Sequence, residues 1–229
     1  MRLILLGPPG SGKGTQAKLL CERRRLVHVG TGDILREAVR QGTPAGKLAE
    51  PYIKAGKLVP DELVNELVND CFRRPERPEC FVMDGYPRTL AQAHSFGAVL
   101  RQQHLNIERV IFVKVPDEAI VQRMSGRWSC PNCKATYHAV NNPPQRAGVC
   151  DNCGHTLFQR PDDQEATVRE RLRQYHQNTV DLIPYYKSQG LLRDVNGQGG
   201  IEEVYGRIER VLDQAGFPCS SGFRRRPPS

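Results

Sequence analysis

Residues 7–16 read GPPGSGKGTQ and directly follow a short apolar run, RLILL. Glycines in such a turn let backbone N–H groups point inward. The helix expected next adds positive potential, so strand, turn and helix together form an anion cradle. Gly10, Ser11, Gly12, Lys13, Gly14 and Thr15 line it, and Lys13 is long enough to reach the terminal phosphates of a nucleotide. The spelling misses the usual Walker A by one place: Gly7, Gly12 and Lys13 fit, but Gly14 comes next and the hydroxyl arrives at Thr15. A second apolar run, CFVMD, ends at Asp84. Alone, that acid would be a turn-former before Gly85. Beside a phosphate loop it is placed to hold Mg2+ through water.

Hydrolysis needs one phosphate site, and the arginines exceed that need. Arg36 stands in TGDILR, Arg88 in DGYPR, Arg123 and Arg127 in QRMSGR, and Arg160 and Arg171 in QRPDDQEATVRER. Guanidinium pairs bidentately with phosphate oxygens and neutralises charge in a phosphoryl-transfer transition state. Six arginines beside turns punctuated by glycine, proline or aspartate imply two phosphate-bearing substrates brought end to end.

Four of the eight cysteines form a pattern: Cys130 and Cys133, then Cys150 and Cys153, two C-x-x-C pairs sixteen residues apart. Two such knuckles present four sulfurs tetrahedrally, which suits a structural Zn2+. The alternatives are disulfide pairs, a bound iron and free thiols. His138 and His155 are near enough to be rival ligands, although the cysteine set is complete without them. A closed four-ligand site does no chemistry, so its expected role is to stiffen a turn-rich segment with little apolar core.

These residues need a scaffold. RLILLG (2–7), LVHVG (26–30), ECFVMDG (79–85), RVIFVKV (109–115) and LLRDV (191–195) read as buried strands, each a short apolar run closed by glycine, proline or an acid. Helical stretches lie between them, among them KGTQAKLLCERRR, DELVNELVNDCFRR and one long run from 164 to 190. The alternation predicts an α/β fold, a five-stranded parallel sheet covered by helices, with ligands at the carboxyl ends of the strands. Residues 31–59, all helical with a turn and a closing loop, and residues 127–160, rich in turns, interrupt the pattern and read as insertions.

The composition is that of a globular chain: 229 residues, 38% hydrophobic, 25% charged. No stretch approaches the ~20 apolar residues of a membrane span, and no signal-peptide pattern is present, so a cytoplasmic protein without membrane contact is expected. The net charge of +8 invites nucleic acid. The bases are scattered, however, and around the cysteines no basic stripe alternates with aromatics. A nucleic-acid partner is therefore not expected. The one compact basic run, Arg224–Arg226, belongs to a tail read as disordered.

GPPGSGKGTQ, TGDILRE, GKLVPDE, DGYPRTLAQA and RPDDQEATVRERL resemble, in order, the signature segments of the adenylate kinases in their long-lid bacterial form. The resemblance spans about residues 1–216. It implies a P-loop kinase core (1–29, 60–126 and 164–216), an AMP-binding insertion (30–59), a zinc-bearing lid (127–163) and a tail (217–229) outside the pattern. It implies reversible Mg-dependent transfer of phosphate from ATP to AMP, giving two ADP, by a monomer that keeps adenine nucleotides in balance.

By the same resemblance, Gly10–Thr15 wrap the ATP phosphates, Arg123 stacks beside the ATP base, the loop at Gly199 meets that base through its backbone, and Arg127 meets the phosphates. Thr31, Arg36, Lys57, Leu58, Val59, Gly85, Tyr86, Pro87, Arg88 and Gln92 hold AMP. Arg160 and Arg171 sit where the two substrates join, and Asp162 and Asp163 match an acid pair at the lid hinge. With Lys13, the arginines at 88, 127, 160 and 171 carry catalysis. Gly30, where the family often has Ser or Ala, is expected to alter a loop's flexibility, and Trp128 the outer surface of the lid. The rival readings are a kinase of other acceptor or donor specificity, a zinc-ribbon nucleic-acid-binding NTPase, and a regulatory nucleotide-binding module without turnover.

Overall fold

In a computed structural model, residues 1–140 and 142–214 are described. The chain begins β1 (Arg2–Leu6), α1 (Lys13–Arg24), β2 (Val27–Gly30), α2 (Thr31–Arg40), α3 (Pro44–Lys54) and α4 (Asp61–Arg73). It continues β3 (Phe81–Asp84), α5 (Leu90–Gln102), β4 (Arg109–Lys114), α6 (Asp117–Ser125), β5 (Arg127–Ser129) and β6 (Thr136–His138). After a 3-10 turn (Pro161–Asp163) come α7 (Glu165–Asn178), α8 (Leu182–Ser188), β7 (Leu192–Asn196) and α9 (Ile201–Asp213). The tail read as disordered, with Cys219, lies outside the described residues.

Five strands pair in parallel in the order β2-β3-β1-β4-β7. Both faces are covered, as the apolar runs require. Along β1, Ile4 and Leu6 face one core with Phe72, Phe81 and Phe96, whereas Leu3 and Leu5 face another with Ala17, Leu20, Ile208 and Leu212. The edges of the three phenylalanines meet, with Phe72 4.9 Å from Phe81 and 5.2 Å from Phe96 between ring centres. Register fixes the chemistry: Leu5 pairs with Asp84. The phosphate loop leaving β1 and the acid ending β3 therefore emerge side by side.

All five expected strands form. The run from 164 to 190, read as one helical stretch, is two helices. Thr179 N–H still bonds back to Tyr175, but Val180 also returns to the Tyr175 carbonyl, and a new helix opens at Leu182. Pro184 favours the break, because it has no N–H to return to the Val180 carbonyl and its ring crowds that carbonyl, whereas in the first turn of a new helix it costs little. Residues 31–40 and 44–54 are helical, with the expected turn between them and the expected loop after them, and the Thr43 hydroxyl caps α3 by accepting Gly46 N–H at 3.0 Å.

The cysteine segment carries its own small sheet and apolar cluster. β5 and β6 pair antiparallel, with Trp128 opposite Tyr137, and Ser129 also bridges to Phe158. Its small apolar cluster is Cys130, Tyr137, Cys150 and Leu157.

Candidate active site

Gly12 caps α1 in the left-handed region, at φ 96°, a conformation that glycine adopts without strain. Lys13 then folds over the loop, its Nζ donating to the carbonyls of Gly7 (2.8 Å) and Pro8 (2.7 Å) and to Ser11 Oγ (3.3 Å). Burial pushes the ammonium down to about 8, with Asp84 opposing the shift and Arg88, Arg171 and Arg127 adding to it. One lysine thus senses three of the expected arginines at once.

At the displaced place of the phosphate-loop hydroxyl, a Cβ at Gly14 would stand 3.2 Å from Asp84 Oδ2. A serine or threonine there would require the acid to give by a few tenths of an ångström, and the chain carries its hydroxyl at Thr15 instead. Burial pushes the Asp84 carboxyl up, but the nearby His28 imidazole and the charge of Lys13 outweigh it and hold the acid below its ordinary value. His28 Nε2 lies 3.7 Å from Asp84 Oδ2. Gly30 gives the histidine its room, since a Cβ there would meet the ring at 3.1 Å. That residue is the last of β2, so the expected effect on a loop's flexibility has no loop to act on; its missing side chain makes space instead. An ionised acid facing the phosphate loop fits the donor chemistry of water-bound Mg2+.

The arginines converge. Arg88 follows the β3 loop, where its Nε donates to the Gly85 carbonyl at 2.8 Å. Its backbone is gripped on both sides: Gln92 Oε1 accepts its N–H at 2.7 Å, and the Thr179 hydroxyl donates to its carbonyl at 2.9 Å. The Thr31 hydroxyl donates to the Gly85 carbonyl at 2.9 Å, joining the start of α2 to the same loop. Burial lowers the guanidinium pKa values of Arg88, Arg160 and Arg171, the last to about 10. Partly buried cations gathered in one place form a site for polyanions.

Two acids organise the array. Asp163, fully buried, takes both ends of the Arg127 guanidinium, one of them Nε at 2.8 Å. Asp162 accepts from Arg171 at 2.8 Å and lies 4.0 Å from Arg36. The acid pair matched to a hinge therefore clamps arginines from α7, α2 and β5. Arg160 donates to Ser129 Oγ at 3.1 Å. Lys57, Leu58 and Val59 follow Gly56, where an added Cβ would meet the Thr167 carbonyl and the Arg171 stem, so this loop runs against α7. Arg123 stands apart and donates to the Gly197 carbonyl at 3.0 Å, which brings it to the loop carrying Gly199. From the far side, the Lys134 carbonyl of the cysteine segment accepts from Lys18 of α1 at 2.7 Å.

The four cysteine sulfurs lie within 4.8 Å of one another, and the pairs 130–153 and 133–150 are 3.4 and 3.5 Å apart. None is in a disulfide. A tetrahedral Zn2+ with bonds of about 2.3 Å needs sulfurs about 3.8 Å apart, so the set fits. Neither His138 nor His155 belongs to the cluster. The backbone N–H of His155 is the main cause that brings the Cys153 thiol down to about 5, ready to ligate as thiolate. Tyr137 accepts Asp151 N–H at 2.8 Å, which leaves its own proton for the Cys150 sulfur at 3.4 Å.

Sequence reasoning found these clusters but missed their supports. Asp61, His28, Thr179 and the arginine clamps of Asp162 and Asp163 are contacts across long sequence separations, and only the 162–163 pair carried a signal. No described helix is long and apolar enough to cross a membrane.

Comparison with known proteins agrees with the geometry. The family model described as adenylate kinase matches residues 5–191. The chain is 48% identical over 214 residues to the adenylate kinase of Archaeoglobus fulgidus, covering 93% of this chain and 99% of that protein. It is 49% identical over 217 residues to that of Caldicellulosiruptor bescii (95% and 100%) and 47% identical over 212 residues to that of Symbiobacterium thermophilum (93% and 98%). With a phosphate loop, a buried acid beside it and arginines gathered from both insertions, the chain belongs to the adenylate kinase family.

Proposed function

We propose that the chain transfers the γ-phosphoryl group of MgATP to AMP, reversibly, giving two ADP. The convergence of Lys13, Arg88, Arg127, Arg160 and Arg171 on one site carries this reading, because a hydrolase has no use for so many phosphate ligands.

An ionised AMP phosphate oxygen attacks the γ-phosphorus while its bond to the β-bridging oxygen breaks and ADP leaves. The nucleophile carries no proton to remove, so positioning and charge neutralisation suffice. Gly10–Thr15 wrap the ATP phosphates, and Asp84 would hold, through water, the Mg2+ that arrives with ATP, whose charge would offset that of the phosphates. Lys13 and the four arginines meet the charge spread over the transferring group. Arg123 and the backbone at Gly199 flank the ATP base. Thr31, Arg36, the 57–59 loop, Gly85–Arg88 and Gln92 hold AMP. Residues 30–59 and 127–163 are covers over a core of 1–29, 60–126 and 164–216, and closing them excludes water as a rival nucleophile. Cys130, Cys133, Cys150 and Cys153 hold Zn2+, which stiffens the lid and takes no part in the chemistry.

Purified protein mixed with MgATP and, separately, AMP, UMP, CMP or GMP tests this by chromatography of the nucleotides. Two ADP appear from ATP and AMP, and the other acceptors react slowly. Fast transfer to UMP or CMP would overturn the acceptor assignment, and phosphate release indifferent to acceptor would overturn the transfer.

A further inference from the structure

Gln92 is buried, with 2% of its surface exposed. Both ends of its amide are engaged: Nε2 donates to Asp61 Oδ1 at 2.7 Å, and Oε1 accepts the Arg88 N–H at 2.7 Å. The other Asp61 oxygen accepts from the Thr89 hydroxyl at 2.6 Å, and Thr89 Oγ1 caps α5 by accepting Gln92 N–H at 3.1 Å. Asp61 opens α4 just beyond the 57–59 loop, so one carboxylate ties that helix to the turn bearing Arg88 and Gln92.

We propose that Asp61 is a positioning residue for acceptor selectivity: it fixes which end of the Gln92 amide is donor and which is acceptor, so that the site takes a 6-aminopurine monophosphate and rejects its 6-oxo counterpart. This rests on the reading that Gln92 meets the acceptor base.

A primary amide has two N–H groups and two oxygen lone pairs. One N–H is committed to Asp61 and one lone pair to Arg88, which leaves one of each for a ligand. A 6-aminopurine edge offers a donor at N6 beside an acceptor at N1, whereas a 6-oxopurine offers an acceptor at O6 beside a donor at N1. An unrestrained glutamine serves either base by turning its amide over. In this site, turning would set Oε1 against the Asp61 carboxylate and Nε2 against the Arg88 N–H. Gln92 is buried, so water relieves neither clash. The donor–acceptor order is therefore built into the fold before any ligand arrives, and a mismatched base would leave buried polar groups unpaired, which a site penalises by large factors.

The test compares kcat/KM for AMP with that for IMP, its 6-oxo analogue, in the wild type, Asp61→Ala, Asp61→Asn and Gln92→Ala. Asp61→Ala is expected to lower the AMP-to-IMP ratio by about tenfold or more, whereas Asp61→Asn, whose amide oxygen can still accept from Gln92 Nε2, is expected to keep it. A ratio between two substrates on one preparation is indifferent to lost stability or a reduced active fraction, so a merely structural role would not move it. If Asp61→Ala folds cooperatively and keeps the ratio within about twofold while Gln92→Ala raises KM for AMP, the proposal is overturned and the AMP site stands. If Gln92→Ala leaves KM for AMP unchanged, the base contact itself is wrong, and the proposal falls with it.

Discussion

Arg88 is the side chain on which the most supports converge: a buried guanidinium, a backbone N–H held by Gln92 and a carbonyl held by Thr179. Arg88→Ala should lower kcat/KM by about a hundredfold or more, roughly 3 kcal/mol, as for loss of one preorganised donor to a transition state. Steady-state kinetics check this, and near-normal turnover would remove Arg88 from the machinery. Lys13 gives a pH signature. Its charged form is the one that meets phosphate, and in the free enzyme burial brings it down to about 8. Thus kcat/KM for MgATP falls as pH rises through about 8, while kcat, read with phosphate bound beside the ammonium, holds to higher pH. The stability sign is separate. The folded value lies below the ordinary 10.5, so the unfolded chain binds the extra proton between them, and this one group makes folding more favourable as pH rises from about 8 to 10.5. Which residues would touch phosphate was legible, because phosphate chemistry demands particular residue types near glycine-rich turns. What aims them was not. Asp61 precedes Gln92 by 31 residues and Thr179 follows Arg88 by 91, and nothing local ties either pair together.

At the scale of elements, the strands were legible because a parallel strand buried on both faces must be almost wholly apolar. The break between α7 and α8 had a signal in Pro184, but the periodicity runs through it and masks the interruption. That break presents Thr179. Thr179→Val should strand the Arg88 carbonyl and cost about 1–3 kcal/mol in denaturant unfolding, with a drop in kcat, whereas Thr179→Ser should restore both. In the cysteine segment, β5 and β6 have three residues each and a small apolar cluster, too little to hold a fold without cross-linking. Trp128, the sole tryptophan, lies in β5 two residues before Cys130, so its fluorescence reports on this element. A strong chelator should release about one zinc per chain and lower the temperature at which that signal changes. A metal-free preparation with the same transition would mean that the sulfurs hold nothing structural.

At the scale of the molecule, the sheet divides two apolar cores, one on each face. Phe72, fully buried, packs against Phe81 and Phe96 and is not itself one of the residues expected to touch nucleotide. Phe72→Ala should cost about 3–5 kcal/mol by denaturant unfolding, with KM for both nucleotides little changed below the transition. The net charge of +8 suggested nucleic acid as one rival, but much of the positive charge in the site is concentrated where two nucleotides would meet. The hold of Thr179 on Arg88 also orders events in time. During synthesis the phosphate loop emerges first and Arg88 soon after, yet the hydroxyl that fixes the arginine's backbone leaves the ribosome 91 residues later. Until Thr179 is made, the Arg88 carbonyl lacks the donor that holds it, so this support of the arginine is completed only as the last third of the chain is added.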